Sequence, residues 1–310
     1  MKRSITKWAQ GISTGILATA LSLMCACNNS VQTGETKSID KSGVKIEEGE
    51  NCVIPLPQGV KLEMVWVKPG TFTMGSPEDE LGRQKQEIQH EVTLTHGYWI
   101  GKYEVTQGQY EAVMGANPSE FKGADLPVES VTWDETKEFC AKLTAIEKAA
   151  GRLPEGYEYT LPTEAQWEYA CRAGTTTALN NEKDLTGKKE CSEMDKVGWY
   201  WYNSDKKTHP VGQKLPNAWG LYDMHGNVFE WCLDYCVYEN EIIITDTYNN
   251  DIKNPLCMTG LNHIMRGGGW NCHASRCRSA LRSYSYPDTH NNNVGFRVSI
   301  SLVPSGFKSF

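Results

Sequence analysis

The second half of the chain sets the tightest constraint on what can fold here. From residue 175 to 310 it runs through Gly, Asn, Asp and aromatic residues with only short apolar stretches and no helix-length amphipathic pattern. Such a chain forms ordered loops, which hold only where aromatic packing, disulfides or a metal fasten them. The first half is more regular. Residues 64–67, 71–75 and 91–94 read as short strands parted by Pro69-Gly70 and a polar loop. Thr106 before 109–114 and Thr132 before 133–146 mark two helices, the second with Trp133, Phe139, Cys140, Leu143 and Ile146 at helical spacing. Thr163 followed by Gln166 is a capping-box signature for a third, carrying Trp167, Ala170 and Cys171. The first half thus reads as helices set against a sheet, and the second as ordered loop.

Thirty-one basic side chains against 38 acidic ones leave a formal charge of −7, so no overall basic field gathers phosphates, and nucleic acid is a poor candidate partner. Lys2, Arg3 and Lys7 precede an apolar run, 12–24, too short for a permanent membrane span and built like a secretory signal. Gly11, Ser13 and Gly15 match a hydrolase nucleophile string, but it lies inside that signal without a preceding strand, so a serine hydrolase is set aside. Ala26 directly before Cys27 resembles the bacterial lipobox. That resemblance implies a signal peptide over 1–26, a lipid on Cys27, and an exported bacterial lipoprotein anchored in a membrane, in the periplasm or at the cell surface. Residues 27–61 then read as a polar tether and 62–310 as the folded domain.

Of 11 cysteines, the nine beyond Cys27 are an odd number and cannot all pair with one another. Cys232 and Cys236 lie four apart, but no nearby Cys/His pair completes a zinc site, so disulfides elsewhere suit them better. Residues 199–202 (WYWY) are assigned to packing and 182–189 to a solvated mixed-charge loop. His209, His225 and His263 show no catalytic partner in the sequence.

Seven blocks come in order: 67–76 (VKPGTFTMGS), 102–106 (KYEVT), 127–133 (PVESVTW), 161–170 (LPTEAQWEYA), 226–231 (GNVFEW), 266–268 (RGG) and 295–297 (GFR). Together they resemble the formylglycine-generating enzyme, or sulfatase-modifying factor, family over nearly all of 62–300. The resemblance implies a single α+β domain of the C-type-lectin-like kind with little regular secondary structure, a fold that carries both oxidases and plain binding proteins. For the oxidases it implies conversion of a sulfatase-type peptide cysteine to formylglycine with oxygen and copper. Cys272, His273, Ser275 and Cys277 fall on the family's active-site pattern, with Cys272 and Cys277 as copper ligands, since paired soft thiolates suit Cu(I). The family's catalytic members have Ser, Tyr and Trp where this chain has Gly269, Arg276 and Phe229. They also carry a further cysteine that pairs with the one matching Cys171, and it is missing here. A Cys171–Cys277 bridge is therefore an alternative use of Cys277.

Two further sites come from resemblance. Asp223, Gly226, Val228 and Glu230 match a calcium site of the family, the carboxylates by side chain and the other two by carbonyl, against the alternative of a hydrogen-bonded turn without metal. Residues 270–293 resemble the variable region of lectin-fold proteins diversified by retroelements. On that resemblance the chain is a non-catalytic lipoprotein displaying a face for a protein or glycan ligand, with Trp270, Arg276, Tyr284, Tyr286 and His290 as adaptable contacts.

Overall fold

Three threonines open the three longer helices. In α1 (Gln107–Met114), α2 (Trp133–Ala149) and α3 (Glu164–Arg172) the caps Thr106, Thr132 and Thr163 each accept the amide three residues on, while Gln109, Glu135 and Gln166 return a bond to the cap amide. Each reciprocal pair satisfies two helix-end donors that otherwise lack partners. These expectations are met, with α2 running three residues further than its apolar spacing suggests. The computed structural model describes residues 45–302, all within one folded unit. The signal segment and Cys27 lie outside the described residues.

The helices pack on strands. A five-stranded antiparallel sheet has the order β1 (Cys52–Pro55), β2 (Lys61–Val67), β5 (Tyr98–Gly101), β13 (Ser299–Leu302), β6 (Tyr157–Thr160). β5 is buried along its whole length, and Trp99 Nε1 donates to the Glu50 carbonyl at 2.7 Å. A second sheet runs β11 (Ser283–Ser285), β10 (Asn262–Arg266), β7 (Phe229–Glu239), β12 (Val294–Gly295), with β8 (Ile242–Ile244) also paired to β7. A third joins β3 (Gly70–Met74), β4 (His90–Leu94) and β9 (Ile252–Lys253). The tether expectation needs correcting at its C-terminal end. Ile46, Ile54 and Leu56 are buried in the core and β1 pairs with β2, so folded structure begins well before residue 62.

Between α4 (Met194–Val197) and β7 no helix or strand occurs, as the composition implies. What fastens the loop-rich half is charge. Arg266 pairs with Glu168, Arg278 with Glu80 and Glu87, Arg282 with Glu164 and Arg297 with Glu230, all with buried side chains. Arg282 makes a two-pronged contact to Glu164, 2.7 Å on each oxygen, and Arg278 a similar one to Glu87 at 2.7 and 2.8 Å. Burial alone would raise the Glu164 carboxyl, yet Arg282 and Arg266 hold it below its ordinary value. Removing one partner of such a pair strands a buried charge, at about 3 to 5 kcal/mol. All nine described cysteines are buried and unbridged.

Candidate active site

β10 ends at Arg266, and the chain then turns through Gly267 and Gly268 at φ 91° and 80°, backbone open mainly to glycine. A Cβ on Gly268 would lie 2.4 Å from Cys277 Sγ, so its absence leaves the space the thiol fills. The Cys272 amide donates to Gly269 O (2.8 Å), and a single 3-10 turn, Ala274–Arg276, closes with Cys277 N–H on Ala274 O (3.0 Å). From outside the turn, Trp201 N–H donates to Cys272 O at 2.8 Å. His225 Nδ1 lies 2.7 Å from Cys277 O and its Nε2 accepts Asn180 N–H at 3.0 Å, which selects the neutral Nδ1–H tautomer. Burial agrees, lowering His225 to about 4.

This turn carries both thiols, and each acts on the ionisation of the other. The neighbouring Cys277 thiol is the main reason Cys272 is lowered to about 7, with burial opposing and the Gly269 backbone and the Arg276 guanidinium helping. The Cys277 thiol moves well upward, first through its Cys272 neighbour and then through burial. The Cys272 sulfur itself lies 3.8 Å from Asn271 Oδ1. Cys272 keeps a small accessible surface, 8%, and Cys277 none. Cys171 faces elsewhere. Its sulfur lies 3.6 Å from Ser279 Oγ and 4.0 Å from His225 Nε2, and burial pushes it up to about 12. The alternative Cys171–Cys277 bridge is not the arrangement in this structure, where both thiols are unbridged. His273 caps the 3-10 turn with its ring 5.9 Å from that of Tyr202, and Ser275 packs over Gly82 with its amide on Lys188 O.

Of the residues in the calcium expectation, Glu230 has a guanidinium partner and Asp223 keeps an unpartnered oxygen. Both Glu230 oxygens accept from Arg297, at 2.6 and 2.7 Å, and one also takes Trp167 Nε1 at 2.6 Å. Asp223 Oδ2 accepts Gly212 N–H (2.7 Å), its Oδ1 is buried without a hydrogen-bond partner, and burial raises the carboxyl to about 6. The Val228 amide goes to Glu104 and the Gly226 amide to Gly267 O. Among the described residues no group of three or more His, Cys, Asp or Glu could hold a metal ion.

The expected ligand-face residues are scattered in role. Trp270 is anchored through Nε1 on Asn292 O (3.0 Å) and edge-on to Phe121. Tyr284 stacks on Tyr238 at 4.3 Å, Tyr286 is 63% exposed, and His290 lies 3.5 Å from Glu135. A cavity of about 780 Å³ beside α2 and β6, lined by Lys137, Cys140, Thr144 and Leu302, shares no residue with the thiol turn. The family model for the sulfatase-modifying factor enzyme 1-like domain matches residues 53–302.

The chain belongs to that family. Among curated relatives, it is 36% identical over 227 residues to chaperone protein LppX of Paenibacillus barcinonensis, covering 58% of this chain and 71% of that protein. It is 26% identical to the formylglycine-generating enzyme of Mus musculus, covering 78% of this chain and 76% of the relative. The solved structure of Treponema denticola variable protein 1 is similar at 29% identity and TM-score 0.66, over 80% of this chain and 98% of that one. PvdO from Pseudomonas aeruginosa is similar at 28% and 0.65, over 83% and 100%. These likenesses agree with the single C-type-lectin-like domain expected for the family. The site's neighbours His225 and Trp201 were invisible in the sequence, because each reaches the thiol turn from a distant loop.

Proposed function

We propose that this sulfatase-modifying-factor family member oxidises a peptide cysteine to formylglycine at the Cys272–Cys277 pair. The observation that carries the reading is the placement of these two unbridged thiols on one tight turn, one with access to the surface and the other in the space that Gly268 leaves for sulfur. That donor set suits Cu(I), which prefers soft sulfur ligands. Copper held there would supply the activation of oxygen. The chain's own residues position the sulfurs: Gly269 and Trp201 bind the main chain of Cys272, and His225 holds the carbonyl of Cys277. Arg276 and the Cys277 thiol favour the ionised form of Cys272 that a metal needs. The expected result is one Cu(I) bound per reduced protein and an aldehyde formed on a sulfatase-type cysteine peptide, with Cys272→Ala and Cys277→Ala each abolishing both. Retention of aldehyde formation in either variant would overturn the assignment.

The second reading is ligand display without catalysis. It is favoured by the exposed Tyr286 beside the Tyr238–Tyr284 stack and by likeness to a protein described as variable. Absence of Cu(I) binding by the reduced protein would move the assignment to it. In both readings the chain is an exported lipoprotein held by Cys27.

A further inference from the structure

One end of the second sheet leaves a group of apolar side chains exposed. β7 continues past its last pairing with β10 into a hairpin with β8, joined by Asn240 and Glu241, both at positive φ (50° and 64°), the geometry of a tight two-residue turn. Across that hairpin Val237 stands opposite Ile244, so their side chains share a face. On the other side of β7 the ladder with β10 ends at the pair Cys236 and Asn262, and Gly260 folds so closely on Cys236 that any Cβ would strike its backbone. Leu261, between Gly260 and Asn262, is thereby held beside Val237. Ile244, Val237 and Leu261 are 47%, 42% and 81% exposed, and Met258 in the same loop 46%. Single exposed apolar residues are ordinary, whereas a contiguous group marks an interaction surface.

The charge around this group has one sign. Glu239, Glu241, Asp246 and Asp251 are exposed, and from 229 to 252 the sequence holds no Lys or Arg. Residues 254–261 are uncharged, and the nearest exposed base in sequence, Lys253, belongs to the third sheet, paired with β4. Arg282, which reaches the Thr245 hydroxyl at 3.1 Å, is buried and matched by Glu164.

We infer that this face docks a protein segment whose apolar side chains are flanked by Lys or Arg. A second copy of the chain would set these acids against themselves, and an anionic lipid surface would meet the same repulsion, whereas basic flanks complement the rim. The apolar contacts supply affinity, and the charges supply orientation and speed of encounter. The face shares no residue with the thiol turn or with 270–293, so the inference stands apart from both readings of that region.

The test is fluorescence anisotropy on the full chain with three labelled peptides: one with Val and Leu at its centre and Lys and Arg on its flanks, one with the same centre and Glu flanks, and one with basic flanks and a Ser centre. The first should bind about tenfold or more tightly than either of the others in about 50 mM salt, and its lead over the Glu-flanked peptide should shrink near 500 mM. Ile244→Ser with Leu261→Ser should weaken the first about tenfold, and Glu239→Lys with Glu241→Lys should reverse the preference between flanks. All four positions are exposed, so thermal melts of both double variants should match wild type. Equal binding of the three peptides, or binding of the first unchanged in both double variants, would overturn the inference. So would a dimer in sedimentation that Ile244→Ser with Leu261→Ser dissolves, which gives the face to a second copy. Capture of the Cys27→Ser chain by phosphatidylcholine vesicles, abolished by the same pair, would overturn it in favour of lipid.

Discussion

At the scale of single residues, polar groups are tied down by partners far away in sequence. His263 is an example: its ring stacks on Trp133 at 3.8 Å and meets Tyr235 at 4.1 Å, and burial lowers it to about 4. A base that is harder to protonate when folded keeps its full contribution to stability above the unfolded value of 6.5, and loses it as pH falls toward 4. The difference corresponds to about 3 kcal/mol. His263→Phe keeps an aromatic ring in the sandwich and cannot titrate, so urea unfolding at several pH values should show a shallower acid loss than in wild type. Parallel profiles would rule this out. The sequence alone left His263 without a role, because Trp133 and Tyr235 reach it only through the fold. The same blindness hid a partner of Glu230, the guanidinium of Arg297, 67 residues on. Cys272 and Cys277 could be picked out because they fall on the family's active-site pattern, five residues apart.

At the scale of elements, the helix starts were legible because a cap and its partner lie three residues apart. What each helix does afterwards was not. α3 sends Glu164 and Glu168 from one face to Arg282 and Arg266, and Glu168 also accepts Gly75 N–H at 2.8 Å and Arg172 Nε at 2.9 Å. A carboxylate in a helix reads as solvent-facing by default, and nothing within a turn of it announces a buried guanidinium. The two kinds of contact should differ sharply in cost. Thr163→Ala removes a cap and should destabilise by about 1 kcal/mol, whereas Glu168→Gln leaves Arg266 under-compensated and should cost about 3 to 5 kcal/mol. Thermal melts of the two variants at neutral pH would check the ranking, and equal losses would mean that the Glu168 pair is weaker than its geometry implies.

At the scale of the whole molecule, the lipobox-like segment gives its own prediction. Cys27→Ser should release the protein from membranes into the aqueous phase of a detergent partition, because the described residues contain no helix long and apolar enough to cross a bilayer and a lipid would be the attachment. Persistence of the variant in the detergent phase with its signal removed would discard the lipid assignment.

The strand order β1-β2-β5-β13-β6 places the last described strand between two others, and Arg266, Arg278 and Arg282 answer carboxylates that precede them by roughly a hundred to two hundred positions. Seen as a matter of synthesis, the polypeptide makes its acids first and their counter-charges last. A ribosome that has reached residue 260 has released Glu80, Glu87 and Glu164 with none of their hydrogen-bonded arginine partners yet made, Glu168 with Arg172 but not Arg266, and a sheet missing its middle. Long-range closure of this kind is slow compared with local helix formation, so the nascent chain should remain protease-sensitive until residues 261–302 are free.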